Sequence, residues 1–119
     1  MGRIVNMFLL MVLLVSNASA ANNYTPSGTL YEINKLVVYS TNETIYPSWA
    51  GFTILSFSQQ LIWNTINNCS TSSVAIRIED KHLISAAQAA YATGKGVRLY
   101  VDDAHRIDNS VCILRAFEY

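Results

Sequence analysis

Apolar and polar residues alternate over much of this 119-residue chain, as in β-strands that bury one face. The clearest run is SVAIRIE, residues 73–79, in which Val74, Ile76 and Ile78 share a face. Other extended segments, rich in β-branched and aromatic residues, are residues 30–40, 51–58, 61–66, 97–101 and 111–119. The pattern leaves open whether residues 51–66 form one strand or two. Residues 21–28 show no periodicity and are expected to be irregular.

The apolar period changes to that of a helix between residues 81 and 93. One helical stripe carries the apolar side chains: Leu83, Ile84, Ala87, Ala90 and Tyr91. Asp80 stands at the N-cap position, and Gly94 at the position of a left-handed C-terminal turn. We therefore predict a helix over 81–93 that leads into strand 97–101. A polar loop, DDAHRIDNS, is expected before the last strand.

These elements give the strand order β-β-β-α-β-β in one domain. A helix between the third and fourth strands of a five-stranded barrel is typical of the OB fold. Such a barrel closes partly by pairing its third and fifth strands in parallel, which would place residues 73–79 beside 111–118. We predict a mainly β fold with one helix, a small five-stranded OB-type barrel.

The first 20 residues have the three parts of a secretory signal. Arg3 provides a positive start, residues 7–15 form an apolar core, and Ala18-Ser19-Ala20 is a small-residue cleavage pattern. The apolar core is too short to cross a bilayer, which takes about 20 residues. We predict a signal peptide over 1–20 and a single exported OB-like domain over 21–119, secreted or periplasmic, without membrane insertion. An uncleaved anchor is the alternative.

The charge and the cysteine content of the chain limit which partners and which cellular compartment are expected. Without Arg3, the eight Lys/Arg of the chain become seven, against eight Asp/Glu, so the formal charge of the exported part is −1. Nucleic-acid binding needs a concentrated basic face, so no nucleic-acid partner is expected. Cys69 and Cys112 lack the CxxC spacing of redox or zinc sites. In an oxidising compartment we expect a disulfide between them, with free thiols or pairing between chains as the alternatives.

The segment QAAYATGKGVRLYV, residues 88–101, resembles a segment of a known toxin family. A helix that ends in Tyr-x-Thr-Gly and leads into Val-Arg-Leu is similar to the B subunits of subtilase cytotoxin, typhoid toxin and related pertussis-like toxins. The matching residues are Gln88, Ala89, Tyr91, Thr93, Gly94, Val97, Arg98 and Leu99. The resemblance is concentrated in residues 85–101.

This resemblance implies an exported, non-enzymatic OB-fold subunit that binds host-cell glycans and assembles into a ring of five. It also implies a catalytic A subunit that docks on the pore face of the ring. The family's sialic-acid serine in the first strand corresponds to Ser27 or to Glu32. The alternative hypothesis is a stand-alone periplasmic or secreted domain that binds or inhibits another protein.

Three more residues are candidates for glycan contacts, two of them aromatic. Aromatic side chains suit this role because sugar C–H surfaces pack on aromatic rings. Arg98 and Tyr100 share the polar face of their strand, and Trp49 lies in the bend between Pro47 and Gly51. Aromatic residues are also common strand formers and core fillers, which is the alternative interpretation for each of them.

The helix face opposite the apolar stripe is the candidate pore or oligomer surface. It carries Lys81, His82, Ser85, Gln88 and Ala89. Alanine would let a second helix approach closely, although it is also the best helix former and suits a solvated surface.

Neither metal binding nor catalysis is expected. The loop residues Asp102, Asp103, His105 and Asp108 could hold a divalent ion, but their spacing matches no EF-hand loop, and a solvated turn explains them. The chain has no GxSxG, HExxH or glycine-rich phosphate motif. We therefore predict no enzyme activity, no cofactor and no metal site.

Overall fold

The computed structural model describes residues 22–119 and shows a mainly β fold with one α-helix, as predicted. The predicted signal peptide, residues 1–20, lies outside the described residues. The elements are β1 (Asn22–Tyr24), β2 (Tyr31–Val38), β3 (Thr53–Phe57), β4 (Ser73–Ile76), α1 (Lys81–Thr93), β5 (Gly96–Ile107) and β6 (Val111–Glu118). A 3-10 turn, Pro47–Trp49, lies between β2 and β3.

Five of the strands pair in a closed ring. β5 pairs with β2, β2 with β3 and β3 with β4, all antiparallel, and β6 returns to β5. β4 and β6 complete the ring as a parallel pair, in which Ala75 lies opposite Ile113. This parallel pair is the one that was predicted for residues 73–79 and 111–118. That this ring is an OB-type barrel remains a prediction.

The interior of the ring is filled by side chains from alternate strand positions. On β5, Val97, Leu99 and Val101 are at most 1% exposed, as their alternation predicts. They belong to one cluster with residues from the other strands and the helix: Tyr31, Ile33, Leu55, Phe57, Leu61, Cys69, Val74, Ile76, Ala87, Ala90, Cys112 and Leu114. Ile78, predicted on the same face as Val74 and Ile76, is 49% exposed because β4 ends at Ile76.

A second apolar cluster lies on the opposite face of the sheet. It contains Ile54, Ala75, Ile107, Val111 and Ile113, with Tyr39, Trp49 and Phe52 packed against it. Strands β3, β4 and β6 are therefore buried on both faces over part of their length. This explains why β4 and β6 contain the continuous apolar runs VAI and VCIL rather than an alternating pattern.

Helix α1 has the predicted bounds. Ala87 and Ala90 are buried, and Leu83 and Ile84 pack against the core. Gly94 adopts the left-handed conformation with φ 68°, which the Gly94 prediction anticipated. Tyr91, which was predicted for the buried stripe, is 45% exposed because it lies at the edge of the stripe near the end of the helix. Asp80 is the N-cap residue, but its side chain makes no capping hydrogen bond.

The predicted disulfide joins Cys69 to Cys112. Cys69 lies in the loop before β4 and Cys112 at the start of β6, so the bond lies beside the parallel strand pair. Both cysteines are buried, at 8% and 0% exposure. A buried disulfide is typical of a protein from a non-reducing compartment.

Three boundary predictions are wrong. Residues 21–28 contain β1, which pairs with β5 so that Tyr24 lies opposite Tyr100. Residues 61–66 form a loop, and the preceding strand is limited to Thr53–Phe57. β5 continues through most of the predicted polar loop, to Ile107, because β6 pairs with it up to Val111.

Candidate functional site

A stack of two tyrosines and one arginine occupies the outer face of the sheet where β1 meets β5. The rings of Tyr24 and Tyr100 have centroids 5.8 Å apart. The guanidinium carbon of Arg98 lies 5.3 Å from the Tyr24 ring centre and 5.0 Å from that of Tyr100. Residues 98 and 100 share this face because side chains alternate along β5, and cross-strand pairing places Tyr24 beside them.

Hydrogen bonds fix Arg98 within this stack. Its Nε–H donates to the carbonyl of Thr25 at 2.8 Å, and Nη1 donates to the Tyr100 hydroxyl at 2.7 Å. Nη1 also forms a 3.1 Å ion pair with Glu118 on β6, and the Arg98 side chain is only 16% exposed. Arg98 therefore holds the two rings in place and offers little of its charge to a ligand.

The two tyrosines form one wall of a cleft of about 450 Å³. Its lining residues are Asn23, Tyr24, Tyr100, Val101, Arg115 and Ala116. Arg115 is exposed and lies at a β-bulge, because Tyr100 is opposite Ala116 while Val101 is opposite Leu114. A bulge re-aims a side chain relative to the regular pleat. We refer to this site as the tyrosine cleft.

A more polar cleft of about 510 Å³ lies on the other side of Arg115. Its charged lining groups are Arg77, Glu79, Asp80, Lys81, Asp102 and Arg115, with His82 beside them. Positive and negative groups are equal in number, so this cleft has no clear preference for an anion or a cation. Arg115 lines both clefts.

Asp102 pairs with His105 at 2.7 Å across an irregular part of β5. Partial burial acts to raise the pKa of Asp102. The hydrogen bonds from His105 and from the Ala104 N–H, with the charges of His105 and Arg115, outweigh that effect and lower the pKa below its ordinary value.

The four acidic and histidine residues of the predicted polar loop do not converge. Asp102 faces His105, Asp103 lies 3.4 Å from the amide of Asn23, and Asp108 accepts hydrogen bonds from Ser48 and Trp49. Among residues 22–119, no three His, Cys, Asp or Glu side chains are grouped as metal ligands would be.

Trp49 has a different environment from the tyrosine stack. Its indole N–H donates to Asp108 at 2.6 Å, and its ring contacts Tyr39 edge-on at 5.3 Å between centroids. The hydrogen bonds from Trp49 and Ser48 lower the pKa of Asp108. Because Trp49 packs on the second apolar cluster, it joins the Pro47–Trp49 turn to the β5–β6 hairpin.

The structure brings together only some of the residues predicted for a glycan site. Arg98 and Tyr100 are in contact, whereas Trp49 lies at the other end of β5, beside the hairpin turn. Ser27 is exposed in the turn between β1 and β2, and Glu32 is exposed on β2 opposite Gly96. Neither of these two lines the tyrosine cleft.

In the sequence, Tyr24 is only one of several aromatic candidates for glycan contact, and Arg115 is not a candidate. Tyr24 lies in a segment without periodicity, and its place depends on pairing with β5. Arg115 belongs to a run, VCILRAF, that gives no sign of a bulge. The one local signal was the pair Arg98 and Tyr100 on a common strand face.

The candidate pore residues on α1 are all exposed. They are Lys81, His82, Ser85, Gln88 and Ala89. Their side of the helix is thus available to solvent or to another chain. Within residues 22–119, no helix is both long and apolar enough to span a bilayer.

Comparison of the chain with protein-family models, with curated proteins and with solved structures gives no match.

Proposed function

We propose that this chain is an exported, non-enzymatic binding subunit that recognises a host-cell glycan in the tyrosine cleft. The observation that supports this most directly is the cleft itself. Two aromatic rings offer apolar surfaces to sugar C–H groups, and the exposed Arg115 lines the same space. A concave site with aromatic walls and a few polar groups is the usual form of a small-molecule site.

The test is glycan-array binding by the mature protein and by two variants of the cleft. Tyr100→Ala removes one aromatic wall, and Ala116→Leu fills the cleft while leaving the tyrosine stack intact. Both are expected to lose binding. Tyr46→Ala, which removes an exposed tyrosine outside the cleft, is expected to bind as the parent protein does. Retained binding in both cleft variants, or no binding by the parent protein, would overturn the glycan proposal.

We further propose that the subunit assembles into a ring of five through α1 and docks a catalytic A subunit, as the B subunits that it resembles do. The exposed face of α1 supports this proposal because it is free to contact a neighbour. Size-exclusion chromatography with light scattering measures the oligomeric state directly. A strictly monomeric protein at micromolar concentration would contradict ring assembly, whatever the glycan array shows.

A turn with exposed apolar side chains favours a second candidate function, that of a stand-alone domain that binds or inhibits another protein. Glu43 Oε2 accepts the backbone N–H groups of both Ile45 and Tyr46, at 2.9 and 3.0 Å. Their side chains are 77% and 59% exposed. A monomeric protein without glycan binding would favour this function over the first.

A further inference from the structure

The loop between β3 and β4 carries exposed isoleucines and no charged residue. Ile62 is 59% exposed, and Ile66 is 103% exposed, so nothing else in residues 22–119 covers the Ile66 side chain. Residues 44–76, which include this loop, contain no Asp, Glu, Lys or Arg, although such residues make up 13% of the chain. The loop therefore presents only apolar and neutral polar side chains to its surroundings.

Hydrogen bonds and the disulfide hold this loop in a fixed shape. Asn23 Nδ2 donates to the Thr65 hydroxyl at 2.8 Å, and the Asn64 N–H donates to the Tyr24 carbonyl at 2.8 Å. The disulfide fixes the other end of the loop at Cys69. An exposed isoleucine on a fixed backbone cannot turn inward, so its apolar surface stays in water until a partner covers it.

Trp63 lies between the two isoleucines in the sequence and adds an aromatic ring to the loop. The residue is half-buried, its ring packs partly against the core, and its indole N–H donates to the Ser70 carbonyl at 3.2 Å. Trp63 and Ile66 line the same hollow of the loop, so the ring adjoins the most exposed isoleucine. Tryptophan is typical of the lipid–water interface, where an apolar ring with one polar group suits both sides.

The absence of charge favours a lipid surface over a protein as the partner of this loop. Protein interfaces use complementary charges to guide encounter and to fix register, and this loop has none to offer. A bilayer makes the opposite demand, because a charged side chain is costly to move out of water. The protruding Ile66 would need a matching pocket in a protein, whereas fluid lipids adapt to its shape. Lysine and arginine are absent as well, so the loop has no preference for anionic lipids.

We propose that the β3–β4 loop makes a peripheral contact with a bilayer of zwitterionic lipids, in which Ile62 and Ile66 enter the boundary between headgroups and acyl chains. The backbone of the loop stays at the level of the headgroups, because unpaired N–H and C=O groups are not tolerated in hydrocarbon. No segment crosses the bilayer in this contact. Two isoleucines bury less apolar surface than one acyl anchor, which by itself binds reversibly, so the contact is weak and reversible.

The experiment is flotation of the mature protein with phosphatidylcholine vesicles that contain no glycan, at millimolar lipid. The protein is expected to float with the vesicles, and phosphatidylcholine brominated near the headgroup is expected to quench its tryptophan fluorescence. Ile66→Ser should weaken partitioning about tenfold and abolish the quenching, because it removes apolar surface that the lipids cover. The matched control is Ile45→Ser, an isoleucine of 77% exposure in another loop, which should partition as the parent protein does.

Because the vesicles carry no glycan, this contact and the tyrosine cleft can fail independently of each other. The proposal is overturned if the parent protein does not float, or if Ile66→Ser and Ile45→Ser reduce flotation equally. Self-association without vesicles that Ile66→Ser abolishes would overturn it as well, since the loop would then be an interface between copies of this chain. The measurement on the parent protein requires no variant to fold.

Discussion

Asn23 shows how one polar side chain can fix the start of the sheet. It is 1% exposed, its Nδ2 donates to the Thr65 hydroxyl, and its Oδ1 accepts the Thr65 N–H at 3.3 Å. The amide thus joins β1 to the loop between β3 and β4. Both the donor and the acceptor of the amide are used, so a smaller side chain would lose these hydrogen bonds.

We expect Asn23→Ala to lower the free energy of unfolding by about 1–3 kcal/mol, because it removes the hydrogen bonds that this buried amide makes to Thr65 and to the backbone N–H of Tyr24. Urea unfolding followed by tryptophan fluorescence measures this change. The matched control is Asn34→Ala, which alters an exposed asparagine on β2 and should change the free energy by less than about 0.5 kcal/mol. Equal effects of the two substitutions would contradict the role given to Asn23.

The Asp108 carboxylate makes the free energy of unfolding depend on pH in the acid range. Its hydrogen bonds from Trp49 and Ser48 lower its pKa in the folded protein, so its contribution is present above the ordinary aspartate pKa, about 3.9. That contribution is lost as the pH falls through the lower, folded-state pKa. Asp102 acts in the same direction.

We therefore expect Asp108→Asn to reduce the loss of stability between pH 6 and pH 3. Asparagine tolerates the positive φ of 53° at this position, so the turn itself should persist. Thermal unfolding of both proteins across this pH range measures the difference in Tm. If the gap between parent and variant did not narrow as the pH fell, the contribution assigned to the Asp108 carboxylate would be wrong.

At the scale of elements, the junction between α1 and β5 depends on two glycines with different roles. Gly94 ends the helix in a left-handed conformation, with φ 68°. Gly96 lies against β2, where a Cβ atom would come within 2.9 Å of the Leu30 Cβ. Gly94 is needed because the turn after the helix requires a positive φ. Gly96 is needed because its lack of a side chain lets β5 approach Leu30, the residue just before β2.

We expect Gly96→Ala to destabilise the protein by about 1–3 kcal/mol, because the clash involves an atom fixed to the backbone of Leu30 and cannot be relieved by a side-chain rotation. Differential scanning calorimetry would show a lower Tm. Gly28→Ala is the matched control, since a Cβ at Gly28 meets no atom within 4 Å. A Tm for Gly96→Ala at or above that of the control would show that the β2–β5 approach is looser than described.

At the scale of the whole molecule, the disulfide joins elements that are far apart in sequence. Cys69 and Cys112 are 43 residues apart, and the intervening segment contains β4, α1 and β5. Restricting the unfolded chain by a loop of this length stabilises the folded state by about 4 kcal/mol in the chain-entropy description. For a domain of this size, that is a large part of the total stability.

Reduction should therefore lower the free energy of unfolding by about 4 kcal/mol. Urea unfolding with and without a phosphine reductant measures the effect. A Cys69→Ala, Cys112→Ala double variant should respond to urea identically in both conditions, which controls for effects of the reductant elsewhere. A change below about 1 kcal/mol in the parent protein would mean that the unfolded chain is already compact without the bond.

The sequence alone predicted the local elements whose signal is contained within a few residues. The periodicity of residues 81–93 gave the helix bounds, and the alternation of Val97, Leu99 and Val101 gave their burial. The disulfide was expected because only one pairing of cysteines is available within the chain, and the parallel pairing of β4 with β6 was expected from the OB plan, in which the third and fifth strands pair.

Tertiary structure decided the features that depend on partners distant in sequence. β1 has a polar sequence and becomes a strand because β5 offers it an unpaired edge, while residues 61–66 are rich in strand formers and become a loop. The tyrosine cleft requires Tyr24, Tyr100 and Arg115 to meet across three strands and a bulge. Short-range sequence patterns indicate which backbone conformation a residue prefers. Burial and contacts with residues distant in sequence decide which conformation it adopts.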